Sequence, residues 1–135
     1  MNFQISITLL LASASFVLSN SHGYRSEHYV RASGDFFCHG KPFDYFLTFY
    51  QDKDATHKVE IGTGKIQHGS LEYVIAAYDD IINPLLDIYA EMEFKCDCLK
   101  VWTSEKSPRS AKVERYNDVF KNFWYLGNIE LSKLC

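Results

Sequence analysis

Cysteine offers the clearest chemistry in this sequence. There are four, Cys38, Cys96, Cys98 and Cys135. Paired thiols can be oxidised to disulfides, and paired thiolates can hold a soft metal ion; spacing separates the two readings. Cys96 and Cys98 form the one short pair. A zinc site there would want further Cys or His close by in sequence. His22, His28, His39, His57 and His68 are scattered, and none neighbours residues 96–98. We therefore expect no metal site. An even cysteine count in a small chain favours two disulfides. A Cys96–Cys98 bond would close a strained, very small ring in extended chain. Two pairings stay open: Cys38–Cys96 with Cys98–Cys135, or Cys38–Cys98 with Cys96–Cys135. Either one ties the C-terminal residue to the middle of the chain.

Carboxylate pairs are the next candidates, because two acids held close together can divide general-acid and general-base roles. Asp79-Asp80 and Glu91/Glu93 qualify by spacing. Strand alternation puts Glu91 and Glu93 on the same side as Asp87, the solvated face of a half-buried strand. His39 and His68 fall in turn sequences, where a solvated ring is expected rather than a ligand or a base. No Gly-x-Ser-x-Gly elbow, His-Glu-x-x-His pair or glycine-rich phosphate loop occurs. The expectation is a chain with no catalytic residues and no cofactor-binding residues.

The elements that carry these residues read as strands. In Tyr29–Cys38, Val30, Ala32, Gly34, Phe36 and Cys38 share one face and Arg31, Ser33 and Asp35 the other, the period of a half-buried strand. Cys38-His-Gly-Lys-Pro42 is a turn cluster. Phe43–Tyr50 follows, with Phe43, Tyr45, Leu47 and Phe49 on one side. Val59–Gln67 and Leu71–Ala76 flank His68-Gly69-Ser70 as a hairpin. The cleanest alternation runs from Leu85 to Cys98, after Asn83-Pro84. Leu99–Thr103 and Trp124–Ser132 are two more strands. If the last one runs on, Cys135 continues the parity of Ile129 and Leu131. Residues 112–123 carry helical spacing at Val113, Tyr116, Phe120 and Phe123, yet Ala111–Arg115 also suits a strand; we expect a strand and then a loop. Seven or eight short strands with turns between them give an all-β antiparallel sandwich with two disulfides.

Compartment follows from the N-terminus. Phe3–Leu18 is an apolar run, softened by Ser and Thr, too short to span a bilayer and suited to a signal peptide. Cleavage is expected after Ser19, or else after Ser21, which makes residues 20–135 the mature, secreted, extracellular domain. No Asn-x-Ser/Thr sequon is present, so N-glycosylation is not expected. The formal charge of −3 leaves no broad positive footprint, which argues against a nucleic-acid partner. Charge is unevenly spread, however. Residues 72–97 carry seven carboxylates against Lys95, and residues 100–121 carry six basic side chains against three acidic ones. This reads as ordinary surface charge; its sharper alternative is a basic edge for an anionic lipid or an acidic protein.

The order of motifs resembles the nematode transthyretin-like family. Val30-Arg-Ala-Ser-Gly-Asp-Phe-Phe-Cys-His-Gly-Lys-Pro42 is similar to its opening strand and Gly-Lys-Pro turn. Ile61-Gly-Thr-Gly64 with Gly69, Pro84-Leu-Leu-Asp-Ile-Tyr89, Cys98-Leu-Lys-Val101 and Leu126-Gly-Asn-Ile-Glu-Leu131 fall in the family's order. The resemblance spans residues 29–135. It departs where the family places a cysteine six residues before the one matched to Cys98: here that residue is Met92, and Cys96 stands instead. The resemblance implies a transthyretin-like β-sandwich and two disulfides, without fixing their connectivity. It also implies a secreted, non-enzymatic protein of recognition, signalling or host interaction. The hydrolase of the wider fold relies on a C-terminal Tyr-Arg-Gly-Ser, whereas this chain ends Glu130-Leu-Ser-Lys-Leu-Cys135. The alternative function is a small-molecule carrier or hydrolase that uses an oligomer channel. The expected partner is an extracellular protein or an anionic lipid.

Overall fold

A computed structural model describes residues 25–52, 56–80 and 87–135. The expected signal peptide, residues 1–19, and Asn83-Pro84, expected to start the next element, lie outside the described residues. Among the described residues there are eight strands: β1 Arg25–Cys38, β2 Lys41–Pro42, β3 Tyr45–Asp52, β4 Lys58–Ile66, β5 Ser70–Asp80, β6 Ile88–Lys95, β7 Leu99–Thr103 and β8 Phe123–Glu130. Short 3-10 turns cover Arg109–Ala111, Tyr116–Phe120 and Leu131–Leu134. Among the described residues, no helix is long and apolar enough to cross a membrane.

The strands form two sheets. In the first, β5 and β8 flank β1, and β2 extends the pairing at the Cys38 end of β1. The second has the order β4-β3-β6-β7. Alternation decides which side of each strand turns inward. Val30, Ala32 and Phe36 of β1 meet Leu47 and Phe49 of β3 and Ile88, Ala90, Met92 and Phe94 of β6, all fully or almost fully buried. Each large side chain removed from water contributes about 1.5–3 kcal/mol against the entropy of ordering the chain. Aromatic edges and faces lock the layers. The Phe49 ring stacks on Tyr73 at 5.5 Å, and Trp102 meets Phe36 edge-on at 5.3 Å. Tyr73 can lie flat there because β4 presents glycine: a Cβ at Gly62 would stand 2.8 Å from its hydroxyl.

Two connections repeat one device. His39-Gly40 links β1 to β2, and His68-Gly69 links β4 to β5. Both residues of each pair have positive φ, 54° and 74° in the first and 52° and 79° in the second. That is the two-residue hairpin geometry whose twist matches the flanking strands.

The all-β two-sheet fold with two disulfides is as expected from the strand pattern, with four local differences. First, β8 runs parallel to β1, from Arg31↔Phe123 to Phe37↔Glu130, so the sandwich is not antiparallel throughout. Second, β1 begins at Arg25 and β5 runs to Asp80, because the two pair from Arg25↔Asp80 to Asp35↔Ser70. Their outer ends are polar and carry no apolar alternation to read. Third, the strand expected at Ala111–Arg115 is a single bridge, Tyr29↔Val113, and the loop after it is a 3-10 turn that buries Val119. Fourth, the last strand stops at Glu130. The Glu130 side chain accepts from the backbone N–H of Ser132 and caps the 3-10 turn that brings Cys135 to Cys98.

Candidate functional site

One end of the sandwich is a cross-linked knot. The disulfides are Cys38–Cys96 and Cys98–Cys135, one of the two pairings left open by the sequence. The His39 turn, the Cys96-Asp-Cys98 bend and the C-terminus are thereby drawn together. His39 Nε2 sits 2.6 Å from Asp97 Oδ1, next to the Cys38–Cys96 bond. That hydrogen bond, with the Asp97 charge, raises the imidazole above its ordinary pKa. Glu130 reaches across from β8. Its carboxylate accepts the N–H groups of His39 (3.0 Å), Gly40 (2.5 Å) and Ser132 (3.1 Å) and the Ser132 hydroxyl (2.6 Å). The Ser132 hydroxyl and then the Gly40 N–H hold it at about 2, well below the usual 4.5. Ligand atoms of Cys38, His39 and Cys96 lie within 4.8 Å of one another, but both sulfurs are in the disulfide. A cysteine ligates zinc only as its thiolate, so the oxidised pair leaves His39 as the one donor of the three.

Of the candidate catalytic carboxylates, Glu91 and Glu93 are not set up as an acid–base pair. Asp79 and Asp80 end β5 opposite Ser26 and Arg25. Glu91 and Glu93 point outward from β6, and Glu91 accepts from Lys58 Nζ at 2.9 Å. His39 and His68 both occupy turns, as expected, although His39 has Asp97 as a partner. Much of the acidic run is balanced within the fold. Glu72 is ion-paired with Arg31, and Lys106 bridges Asp87 (3.1 Å) and Asp52 (3.2 Å).

A concave feature of the surface lies in the second sheet. The β3–β6 ladder covers only Thr48–Gln51 against Ile88–Glu91. Beyond it, Tyr45–Leu47 stay with β4 and Met92–Lys95 stay with β7, so the facing edges of β3 and β6 part. Phe43, stacked on Tyr45 at 5.9 Å and edge-on to Phe94 at 6.3 Å, packs against the core beside this opening. The result is a cleft of about 370 Å³ on the outer face. Its lining is Tyr45, Phe46, Thr48, Tyr50, Glu91, Met92, Glu93 and Val101.

Two observations give the cleft its chemistry. Phe46 and Val101 are 56% and 53% exposed, so the cleft presents apolar surface to solvent. One wall already holds a cation: Lys58 Nζ lies 4.2 Å from the Tyr50 ring centroid while donating to Glu91. Glu93, the second carboxylate of the lining, has no ion-pair partner among the described residues. The cleft thus offers aromatic faces, an apolar side and net negative charge. A second exposed aromatic group, Tyr116, Phe120 and Phe123, lies on the outer face of the first sheet. There Arg31 fills its centre, 5.5 Å from the Phe120 ring and 5.8 Å from the Phe123 ring.

Reading the sequence for reactive groups does not single out Tyr45, Phe46, Thr48, Tyr50, Met92 or Val101. One signal for them was present: Phe46 and Tyr50 occupy the solvent parity of a strand whose buried parity is already filled by Leu47 and Phe49. Comparison of the chain with protein-family models, with curated proteins and with solved structures finds no match.

Proposed function

We propose that this chain is a divergent transthyretin-like protein, secreted after removal of residues 1–19, which acts outside the cell as a non-enzymatic recognition module. The observation that carries the reading is the cleft between β3 and β6, an aromatic and acidic groove on the outer face of the second sheet. Two disulfides support an extracellular setting, because such bonds persist where the environment is oxidising. The order of the transthyretin-like motifs along residues 29–135 supports the family.

Recognition by this face requires a groove that does not deform. The disulfide knot at the Cys96 end of β6 and the Phe43 packing below the opening provide that rigidity. The test has two arms. Expression of the full chain in a secreting host is expected to give a product in the medium that begins at residue 20 and has no free thiol. Retention of Met1 in an intracellular product contradicts secretion. In the second arm a photo-crosslinking residue replaces Phe46 or, as control, Tyr125 on the opposite sheet, and each variant is exposed to extracellular fluid. A discrete adduct at Phe46 and none at Tyr125 supports the cleft; equal labelling at both sites contradicts it.

A further inference from the structure

The cleft also carries information about the chemistry of its occupant. We propose that it takes the ammonium group of a lysine side chain carried on an extended segment of the partner protein, with Glu93 as counter-charge and Tyr45 and Phe46 as the aromatic wall. This inference rests on the recognition reading of the same groove.

Three features point to it. The first is the protein's own precedent. On one wall an ammonium group, Lys58 Nζ, is held by an aromatic face and a carboxylate together, Tyr50 at 4.2 Å and Glu91 at 2.9 Å. Carboxylate and ring quadrupole favour the same ligand charge. On the other wall the same residue classes recur, Glu93 with Phe46 and Tyr45; Lys65 stands across from Phe46 on β4 but makes no ion pair with Glu93. The second is charge. The lining contains two carboxylates and no basic side chain, and Lys58 neutralises only one of the two. A basic group is therefore the complementary occupant.

The third feature is shape. About 370 Å³ is near the lower end of the roughly 300–1,000 Å³ typical of small-ligand sites, enough for one long side chain with its backbone. The flanking strand lengths Tyr45–Leu47 and Met92–Phe94 make no ladder with each other. Unladdered strand edges accept an extended peptide through main-chain hydrogen bonds, and alternate side chains of that peptide then lie on the outer face of the sheet, the face that carries Phe46, Glu93 and Val101. The apolar stem of a lysine suits Phe46 and Val101, and its head reaches Glu93.

The test uses the secreted protein, labelled with nitrogen-15, and capped heptapeptides of alternating Thr and Val with a central lysine, norleucine or acetyl-lysine. n-Butylamine serves as the free amine. The lysine peptide is expected to shift the amides of Phe46, Thr48, Glu93 and Val101 and to bind at least about tenfold more tightly than the norleucine and acetyl-lysine peptides, a difference of about 1.4 kcal/mol. Glu93→Gln is expected to erase that preference, while Glu60→Gln, on the neighbouring strand, retains it. Glu93 is exposed, so its melting temperature is expected to match the wild type, and Phe46→Ala provides a second variant with the same predicted loss. If all three peptides bind the cleft equally, the ammonium assignment is wrong and the recognition reading stands. If n-butylamine matches the lysine peptide, the site belongs to small amines rather than to a peptide. If no probe perturbs the cleft residues, both the assignment and the cleft as a recognition site fail.

Discussion

Replacing Cys135 by alanine tests the architecture most quantitatively. The Cys98–Cys135 bond spans 37 residues and ties the Leu131–Leu134 turn to the start of β7. In the loop-entropy description, closing a loop of this size removes about 13 cal/mol/K from the unfolded state, or about 4 kcal/mol at 25 °C. A domain of roughly 100 residues loses about 4 °C in Tm per kcal/mol, so the expected drop is about 15 °C. The end of the chain carries a second effect in the same direction. The last 3-10 turn buries Leu131 and presents Ser132 to Glu130, so freeing Cys135 also loosens the grip of Glu130 on the His39 turn. Calorimetry of Cys135→Ala and Cys98→Ala, with Lys133→Ala as the control in the same turn, measures this. Both cysteine variants should melt at the same low temperature and the Lys133 variant near the wild type. If Cys135→Ala melts within about 2 °C of Lys133→Ala, the bond does not constrain the unfolded chain as argued.

Further expectations follow from other parts of the fold. Cys38→Ala should cost about as much as Cys135→Ala, since its 58-residue loop raises the entropic contribution by only a few tenths of a kcal/mol; matched denaturant titrations compare them. Glu130 is held at about 2 in the fold against an ordinary 4.5. Its contribution is therefore present above pH 4.5 and lost as pH falls from there toward 2; Glu130→Gln should remove that part of the acid dependence of the melting temperature. His39 has the opposite sign. Its raised pKa makes the Asp97 contact stabilising below about pH 6.5 and fading as pH rises through the folded value, so His39→Gln should flatten the melting curve's pH dependence around neutrality. Gly69→Ala should destabilise more than Gly40→Ala by thermal melting. Both glycines have positive φ, but a Cβ at Gly69 would stand 2.9 Å from the Phe36 carbonyl oxygen, whereas none of the neighbouring atoms crowds one at Gly40.

How much of this was legible follows from where the information lies. Strand alternation is a local property, so the inward set Val30, Ala32, Phe36, Leu47, Phe49 and the Ile88–Phe94 series could be read directly. Turn chemistry is local as well, and His39-Gly40 and His68-Gly69 announced their turns. Pairing is not local. Nothing in β1 or β8 alone says that the two run parallel, and nothing in four cysteines selects Cys38–Cys96 over Cys38–Cys98. The outer ends of β1 and β5 were missed because Arg25–His28 and Tyr78–Asp80 hold strand geometry through each other's backbone rather than through apolar parity. The cleft was hidden for a further reason. It arises where the β3–β6 ladder stops, an event set by the competing partners β4 and β7, and Tyr45 is 46% exposed despite an inward parity. The acidic pair Glu91/Glu93 was correctly placed on the outer face, but only the structure divides its members into one already bonded to a lysine and one that is not.

The most direct test of the account is a crystal structure of the secreted protein with the central-lysine heptapeptide. The account predicts an extended peptide lying along the cleft, main-chain hydrogen bonds to Tyr45–Leu47 or Met92–Phe94, and the lysine Nζ within about 3 Å of a Glu93 carboxylate oxygen. A peptide bound on the outer face of the first sheet, or lying in the cleft with its lysine turned away from Glu93, would contradict it.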